Sequence, residues 1–218
     1  MLRLEDVYYS YKSSNSGVLK NISASFYRGE FASIVGPSGS GKTTLLSIMA
    51  GLDKPTSGIV SIDETNLESM DLDKYRREQV SMIFQAFHLF PLLTALENVC
   101  YPLEMNKSAT KATKAHAIEL LKSVEINEEK HNRYPTNLSG GEQQRVAIAR
   151  ALSTGAKVIL ADEPTGNLDK ANGESVVNIL KKLAHEQNYA VIVVTHNLEI
   201  AEASDVVYRM SDGVLYEA

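Results

Sequence analysis

The sequence has no tryptophan and a single cysteine, Cys100, among its 218 residues. One cysteine can form no internal disulfide, so a reducing compartment is expected and the thiol reads as a small buried hydrophobe. No stretch approaches 18 consecutive apolar residues, so the pattern offers no membrane-spanning helix. Met1-Leu2-Arg3-Leu4-Glu5-Asp6 places acids where a signal peptide needs an apolar run, and none is expected. Positive charge is also short. The 22 Lys and Arg stand against 27 Asp and Glu, a formal net charge of −5. Nonspecific nucleic-acid binding depends on neutralising phosphates with Lys and Arg, so that class is disfavoured. Any membrane role would have to come through a partner. Internal repeats, low-complexity tracts and linkers are also missing.

What is present is chemistry for a phosphate tail. Residues 36–43 read Gly-Pro-Ser-Gly-Ser-Gly-Lys-Thr, which fits the P-loop pattern G-x-x-x-x-G-K-[ST]. Backbone N–H groups approach phosphate oxygens closely only where side chains are missing, and Gly36, Gly39 and Gly41 supply that access. Pro37, Ser38, Ser40 and Thr44 complete the candidate phosphate-binding run. Lys42 can reach the β- and γ-phosphates as a point charge, and the Thr43 hydroxyl can ligate Mg²⁺. The apolar run Phe31-Ala32-Ser33-Ile34-Val35 precedes the loop as a buried strand should. Thr44–Ala50 follows as a helix opening, whose dipole favours phosphate.

Along the chain, strands are expected at Leu2–Tyr8, Leu19–Phe26, Phe31–Val35, Gly58–Ile62 and Val80–Phe84. Val158–Ala161 and Ala190–Thr195 are unbroken apolar runs, as in a parallel sheet buried on both faces. Helices are expected at Gly140–Ser153 and Glu174–Glu186, and a hairpin at Val206–Met210, Asp212-Gly213 and Val214–Tyr216. Between His88 and Asn137 no strand pattern occurs. Leu96–Val99 and Ala109–Val124 read as helices, with Ile118, Leu121 and Val124 on one stripe. Residues 87–137 are therefore expected to form a helical subdomain inserted into an α/β core made of 1–86 and 138–218. Lys107, Lys111 and Lys114, near the start of the second helix, read as a solvated face, with contact to a membrane surface or partner as the sharper option.

Two further motifs carry chemistry. Val158-Ile159-Leu160-Ala161-Asp162-Glu163 is an apolar strand ending in two acids. Asp162 at a strand's C-terminal edge can hold a Mg²⁺ shell opposite Thr43. Glu163, pointing elsewhere, is a candidate general base toward an attacking water. The bland alternative is an acidic cap before Pro164. Leu138-Ser139-Gly140-Gly141-Glu142 precedes a helix, and Ser139 with Glu142 is a capping box. That leaves Gly140 and Gly141 unexplained, since each costs about 1 kcal/mol against Ala inside a helix. Bare backbone at a positive helix end would make a second anion site.

Leu-Ser-Gly-Gly-Glu at 138–142 resembles the signature of ABC ATPases, and the resemblance covers essentially the whole chain. It implies an α/β fold: a P-loop NTPase core with a mostly parallel sheet, an N-terminal antiparallel β portion and an inserted helical subdomain. Tyr11 matches the aromatic that stacks on adenine. Gln85 matches the Q-loop residue, a Mg²⁺ and water ligand. Asn167-Leu168-Asp169 matches the D-loop, although the family more often has Ser-Ala-Leu-Asp, and Asp169 is retained. His196, after Val191–Thr195, matches the switch histidine that senses the γ-phosphate. His88, His116, His131 and His185 receive no role. The resemblance further implies an ATP-dependent head-to-tail homodimer. Each ATP would meet Lys42, Thr43, Gln85, Asp162, Glu163 and His196 of one copy, and Ser139 and Gly141 of the other. With no membrane segment, a transporter would need separate polytopic permease chains, with membrane contact only through them, on the cytoplasmic face. The run Phe84–Val99 resembles the lipoprotein-release and macrolide-export branch. A cell-division or iron–sulfur assembly ATPase remains the alternative.

Overall fold

The computed structural model describes residues 1–11, 17–106 and 111–218. In chain order its elements are β1 (Leu2–Tyr9), β2 (Leu19–Phe26), β3 (Phe31–Val35), α1 (Lys42–Met49), β4 (Ser57–Ile62), β5 (Thr65–Asn66), α2 (Leu72–Glu78) and β6 (Val80–Phe84). There follow α3 (Ala95–Asn106), α4 (Lys111–Ser123), α5 (Gly140–Ser153), β7 (Val158–Asp162), α6 (Lys170–Gln187), β8 (Ala190–Thr195), α7 (Leu198–Glu202), β9 (Val206–Ser211) and β10 (Val214–Glu217). Single 3₁₀ turns lie at Leu67–Ser69, Glu128–Lys130 and Pro135–Asn137.

Two sheets form. An antiparallel one has the order β2-β1-β4-β5, and a six-stranded one has the order β10-β9-β3-β8-β7-β6. In the latter β3 runs parallel to β8 and β9, and β7 parallel to β8, while β10 turns back along β9. Every residue of β3 and of β8 is buried, as their unbroken apolar sequences require. Register decides where the chemistry sits. Val35 lies beside Thr195, and Asp162 beside Val194. Hence the chain leaves β3, β7 and β8 at one carboxyl edge of the sheet, the edge at which open α/β sheets bind ligands.

The chain divides into two compact units. The first comprises Met1–Met82, Lys157–Glu163 and Leu180–Ala218; the second comprises Ile83–Ala156 and Pro164–Ile179. The first unit holds a continuous core that includes Phe26, Ile34, Leu46, Val60, Leu160, Ile192 and Met210. In the second, α3, α4 and α5 pack on one another. Its limits are wider than the 87–137 segment of the sequence reading, because α5 buries Val146, Ala147, Ile148, Ala149, Ala151 and Leu152 and belongs with the helices. Helix α3 runs through Pro102 to Asn106, past the expected end at Val99. Helix α6 starts four residues earlier than expected, at Lys170, because Asp169 accepts the Asn172 N–H at 2.9 Å. Of the second helix of the insertion, residues 109 and 110 lie outside the described residues, as does Lys107.

Candidate active site

Helix α1 opens without a side-chain cap and with no acid in its first turn, at Gly41 with φ 108°. Its first-turn N–H groups are thus directed at whatever lies beyond the helix end. The glycines of the loop serve different needs. A Cβ on Gly36 would stand 2.1 Å from the Met210 carbonyl oxygen, so Gly36 is fixed by strand β9. Gly39 has φ +78° and open space within 4 Å, so there backbone conformation is the requirement. Lys42 is mostly buried, and its Nζ donates to the carbonyls of Gly36 (2.8 Å) and Pro37 (2.9 Å). The Ser40 hydroxyl is buried and finds no protein partner. An uncapped helix end, an ammonium curled onto its own loop and an unsatisfied hydroxyl together fit a polyphosphate.

Thr43 donates its hydroxyl hydrogen to Asp162 Oδ2 at 3.2 Å, across 119 residues of sequence. Burial pushes the Asp162 carboxyl above its usual range, the adjacent Glu163 charge adds to this, and Thr43 and Lys42 oppose it. A divalent cation would reverse that balance, and hydroxyl plus carboxylate is the oxygen donor set that Mg²⁺ takes. Glu163 sits at φ 48°, with its N–H donating to the Val194 carbonyl at 2.9 Å. Its two carboxylate oxygens are separately engaged. Thr195 Oγ1 donates to one at 2.9 Å, and His196 Nδ1 lies 2.7 Å from the other. The Glu163 side chain is largely covered, whereas that of His196 is 73% exposed, so the ring's Nε2 end faces outward. Tyr11 is half-exposed and its hydroxyl is 3.0 Å from Thr44 Oγ1; its ring meets Tyr9 edge-on at 5.1 Å.

The remaining candidates lie in the second unit. Gln85 is held by an exchange of amides: its Nε2 donates to Asn167 Oδ1 (3.1 Å), and Asn167 Nδ2 donates to the Gln85 carbonyl (3.0 Å). A Cβ on Gly166 would come within 2.7 Å of that Nε2, so the neighbouring glycine makes the seat. The loop that follows is strained, with Phe87 at φ 56° and His88 at φ 50°. Arg150 of α5 holds both residues, donating to the carbonyls of His88 (2.6 Å) and Phe87 (3.2 Å). His88, which received no role from sequence, stacks on Phe84 with ring centroids 4.8 Å apart.

Helix α5 begins with the expected capping box. Glu142 N–H donates to Ser139 Oγ (3.3 Å), and Ser139 N–H to Glu142 Oε2 (2.9 Å). The two glycines are unequal. A Cβ on Gly141 would overlap Asn172, 2.1 Å from its Oδ1, while one on Gly140 would make only ordinary contacts near 3.6 Å. Packing therefore demands Gly141, and Gly140 is the residue whose bare backbone lacks a packing explanation. Asn172 in turn donates from Nδ2 to Asp169 Oδ2 at 2.7 Å. Its backbone and side-chain donors hold the Asp169 carboxyl below its usual range. Thr195, Arg150 and Asn172 received no role from sequence, and Asn167, read there only as the start of the D-loop match, gains its bond to Gln85 from the structure. The signal available for Thr195 was a hydroxyl closing an otherwise apolar strand.

A family model described as ABC transporter matches residues 19–166. The chain belongs to the ABC transporter family. As an ABC ATPase it binds and hydrolyses ATP. It is 45% identical to an uncharacterized ABC transporter ATP-binding protein, MJ0796, of Methanocaldococcus jannaschii, over 98% of this chain and 94% of that one. It is 40% identical to the lipoprotein-releasing system ATP-binding protein LolD of Legionella pneumophila, over 99% of this chain and 97% of the relative. Among solved structures, the dimeric post-hydrolysis state of MJ0796 bound to ADP and Pi matches this ABC ATPase with a TM-score of 0.90 at 43% identity, covering 100% of this chain and 98% of that one. CbiO1 of Clostridium perfringens, part of a transporter complex, matches with the same TM-score at 28% identity, over 99% of this chain and 86% of its own. No helix among the described residues is long and apolar enough to cross a membrane.

Proposed function

We propose that this ATPase powers a separate polytopic permease on the cytoplasmic face of the membrane, which releases or exports a lipoprotein, peptide or drug. Two relatives named for lipoprotein release, at 40% and 41% identity, support that branch. So does the run Phe84–Val99. The observation that carries the hydrolytic half is the Glu163 carboxylate, hydrogen-bonded at both oxygens by Thr195 and His196.

In this reading residues 36–44 bind the phosphates and Tyr11 the adenine. Thr43 and Asp162 would hold Mg²⁺, and Gln85 keeps the Mg²⁺ and water role that its match to the Q-loop residue implies. Mg²⁺, when bound, draws charge from the phosphate oxygens. Glu163 takes the proton of the attacking water as general base, kept in place by Thr195. His196 engages the γ-phosphate through its exposed end. Ser139, Gly140, Gly141 and Glu142 serve the ATP of a second copy, and Asp169 lies in the loop that faces that copy. ATP thus joins two chains, as the dimeric relatives suggest, and its hydrolysis releases them.

The test is to recover the tagged chain from gently solubilised membranes of its native host and identify what accompanies it. A polytopic membrane protein is the expected partner, and its extracytoplasmic domain would narrow the substrate. Recovery with soluble cofactor-assembly proteins alone would remove the transport reading while leaving ATP hydrolysis in place.

A further inference from the structure

We propose that Lys130 is an electrostatic counterweight to Glu142, present so that the capped end of α5 can still receive a triphosphate. The inference rests on the proposed role of that helix end toward a second copy's ATP. The conflict it resolves is local. A helix N-terminus attracts an anion, but the capping box has already placed a carboxylate in the first turn of α5. That carboxylate satisfies the dipole itself and repels any second anion that approaches.

Lys130 Nζ stands 2.6 Å from Glu142 Oε1, while Glu142 Oε2 is occupied by the Ser139 N–H at 2.9 Å. Each carboxylate oxygen thus has one donor, and only one of the two donors carries charge. The pair is covered, with side-chain exposures of 23% for Lys130 and 14% for Glu142, so solvent screens it less than an open surface pair. Lys130 ends a single 3₁₀ turn whose other residues, Glu128 and Glu129, are exposed acids. Its ammonium turns inward to the cap. Burial alone would raise the Glu142 carboxyl, yet Lys130 and Ser139 together hold it below its usual range, so it is ionised when ATP arrives.

The chemistry sets a sharp condition. A neutral amide at 142 could keep the bond to the Ser139 N–H but would carry no charge to offset. Lys130 should therefore matter only while position 142 is an acid. That distinguishes a counterweight from a lysine that attracts phosphate directly, or from one that merely props up the 3₁₀ turn.

The experiment is a double-mutant cycle in the full-length chain carrying Glu163→Gln, which slows turnover. ATP-driven dimerisation is followed by sedimentation, with melting temperature recorded for every variant. Lys130→Met keeps the aliphatic stem and removes the charge. It is expected to weaken dimerisation by roughly tenfold or more when residue 142 is Glu, and by less than about twofold in the presence of Glu142→Gln. An equal loss in both backgrounds, or no loss in either, overturns the inference. If the Glu163→Gln parent fails to dimerise with ATP, the role assigned to the helix end falls first and takes the inference with it.

Discussion

At the scale of single residues the site is a set of carboxylates held in different states by their neighbours. Glu163 has one hydroxyl and one imidazole on its two oxygens, so Glu163→Gln can keep its backbone seat and re-pair its amide with Thr195. It loses the carboxylate charge and with it proton acceptance, and presents an NH₂ to His196 where an oxygen stood. The variant should bind ATP, hydrolyse it about 10²–10⁴-fold more slowly, and accumulate as an ATP-dependent dimer on gel filtration. Near-normal turnover would remove the base assignment. Asp162 is different, because its burial raises the carboxyl and so penalises its ionised form. A folded-state pKa above the unfolded one contributes stability at low pH that is lost as pH rises through the folded value. Asp162→Asn, with its Thr43 bond still possible, should therefore melt higher than the parent at neutral pH in EDTA. The gap should close on acidification. The same variant should lose the effect of Mg²⁺ on ATP affinity. A variant that melts lower than the parent at neutral pH would contradict the burial argument.

At the scale of elements, the helices carry the instructive differences between sequence and structure. Strand limits were legible almost to the residue, because Phe31–Val35, Val158–Ala161 and Ala190–Thr195 are largely apolar runs that are buried throughout, and only Asp162 extends the second. Helix α2 was missed because it buries only Tyr75 and its remaining residues are exposed or half-buried. Its signal was the Asp71 cap, whose carboxylate accepts from two backbone N–H groups. The phosphate loop, the strand-end acids and the capping box were readable because each is a local pattern. The Gln85–Asn167 exchange and the Arg150 clamp were not, since they join residues 62 to 82 positions apart, the first through side-chain amides and a backbone carbonyl and the second from a guanidinium to backbone carbonyls. Neither was the division of labour between the glycines of α5. Because Gly140 has room for a Cβ and Gly141 does not, the two substitutions should behave oppositely. Gly140→Ala should stabilise the chain, by up to about 1 kcal/mol of helix propensity, while weakening ATP-driven dimerisation. Gly141→Ala should lower the melting temperature by displacing Asn172. If Gly140→Ala leaves dimerisation unchanged, the second anion site loses its main support.

At the scale of the molecule, one chain carries two helix ends suited to phosphate, in two different compact units. A single-copy enzyme that needed both would combine them within one chain. A symmetric dimer would exchange them, with each copy lending its second end to the other's nucleotide. Mixing separates these cases. Lys42→Ala disables the first end and Ser139→Arg the second, and each variant alone should be inactive. In a dimer formed from one copy of each, one site inherits both defects and the other inherits neither. An equimolar mixture should therefore recover ATP hydrolysis to at most roughly a quarter of the parental rate, since half of randomly formed dimers are mixed and each keeps one of two sites. The recovered activity should also rise with total protein concentration, because it belongs to the dimer. Recovery requires that the intact Ser139 of the lysine variant act on ATP held by the intact Lys42 of its neighbour. If the mixture stays as inactive as its components under conditions where the parent dimerises, Ser139 serves the nucleotide of its own chain and the exchange model is wrong.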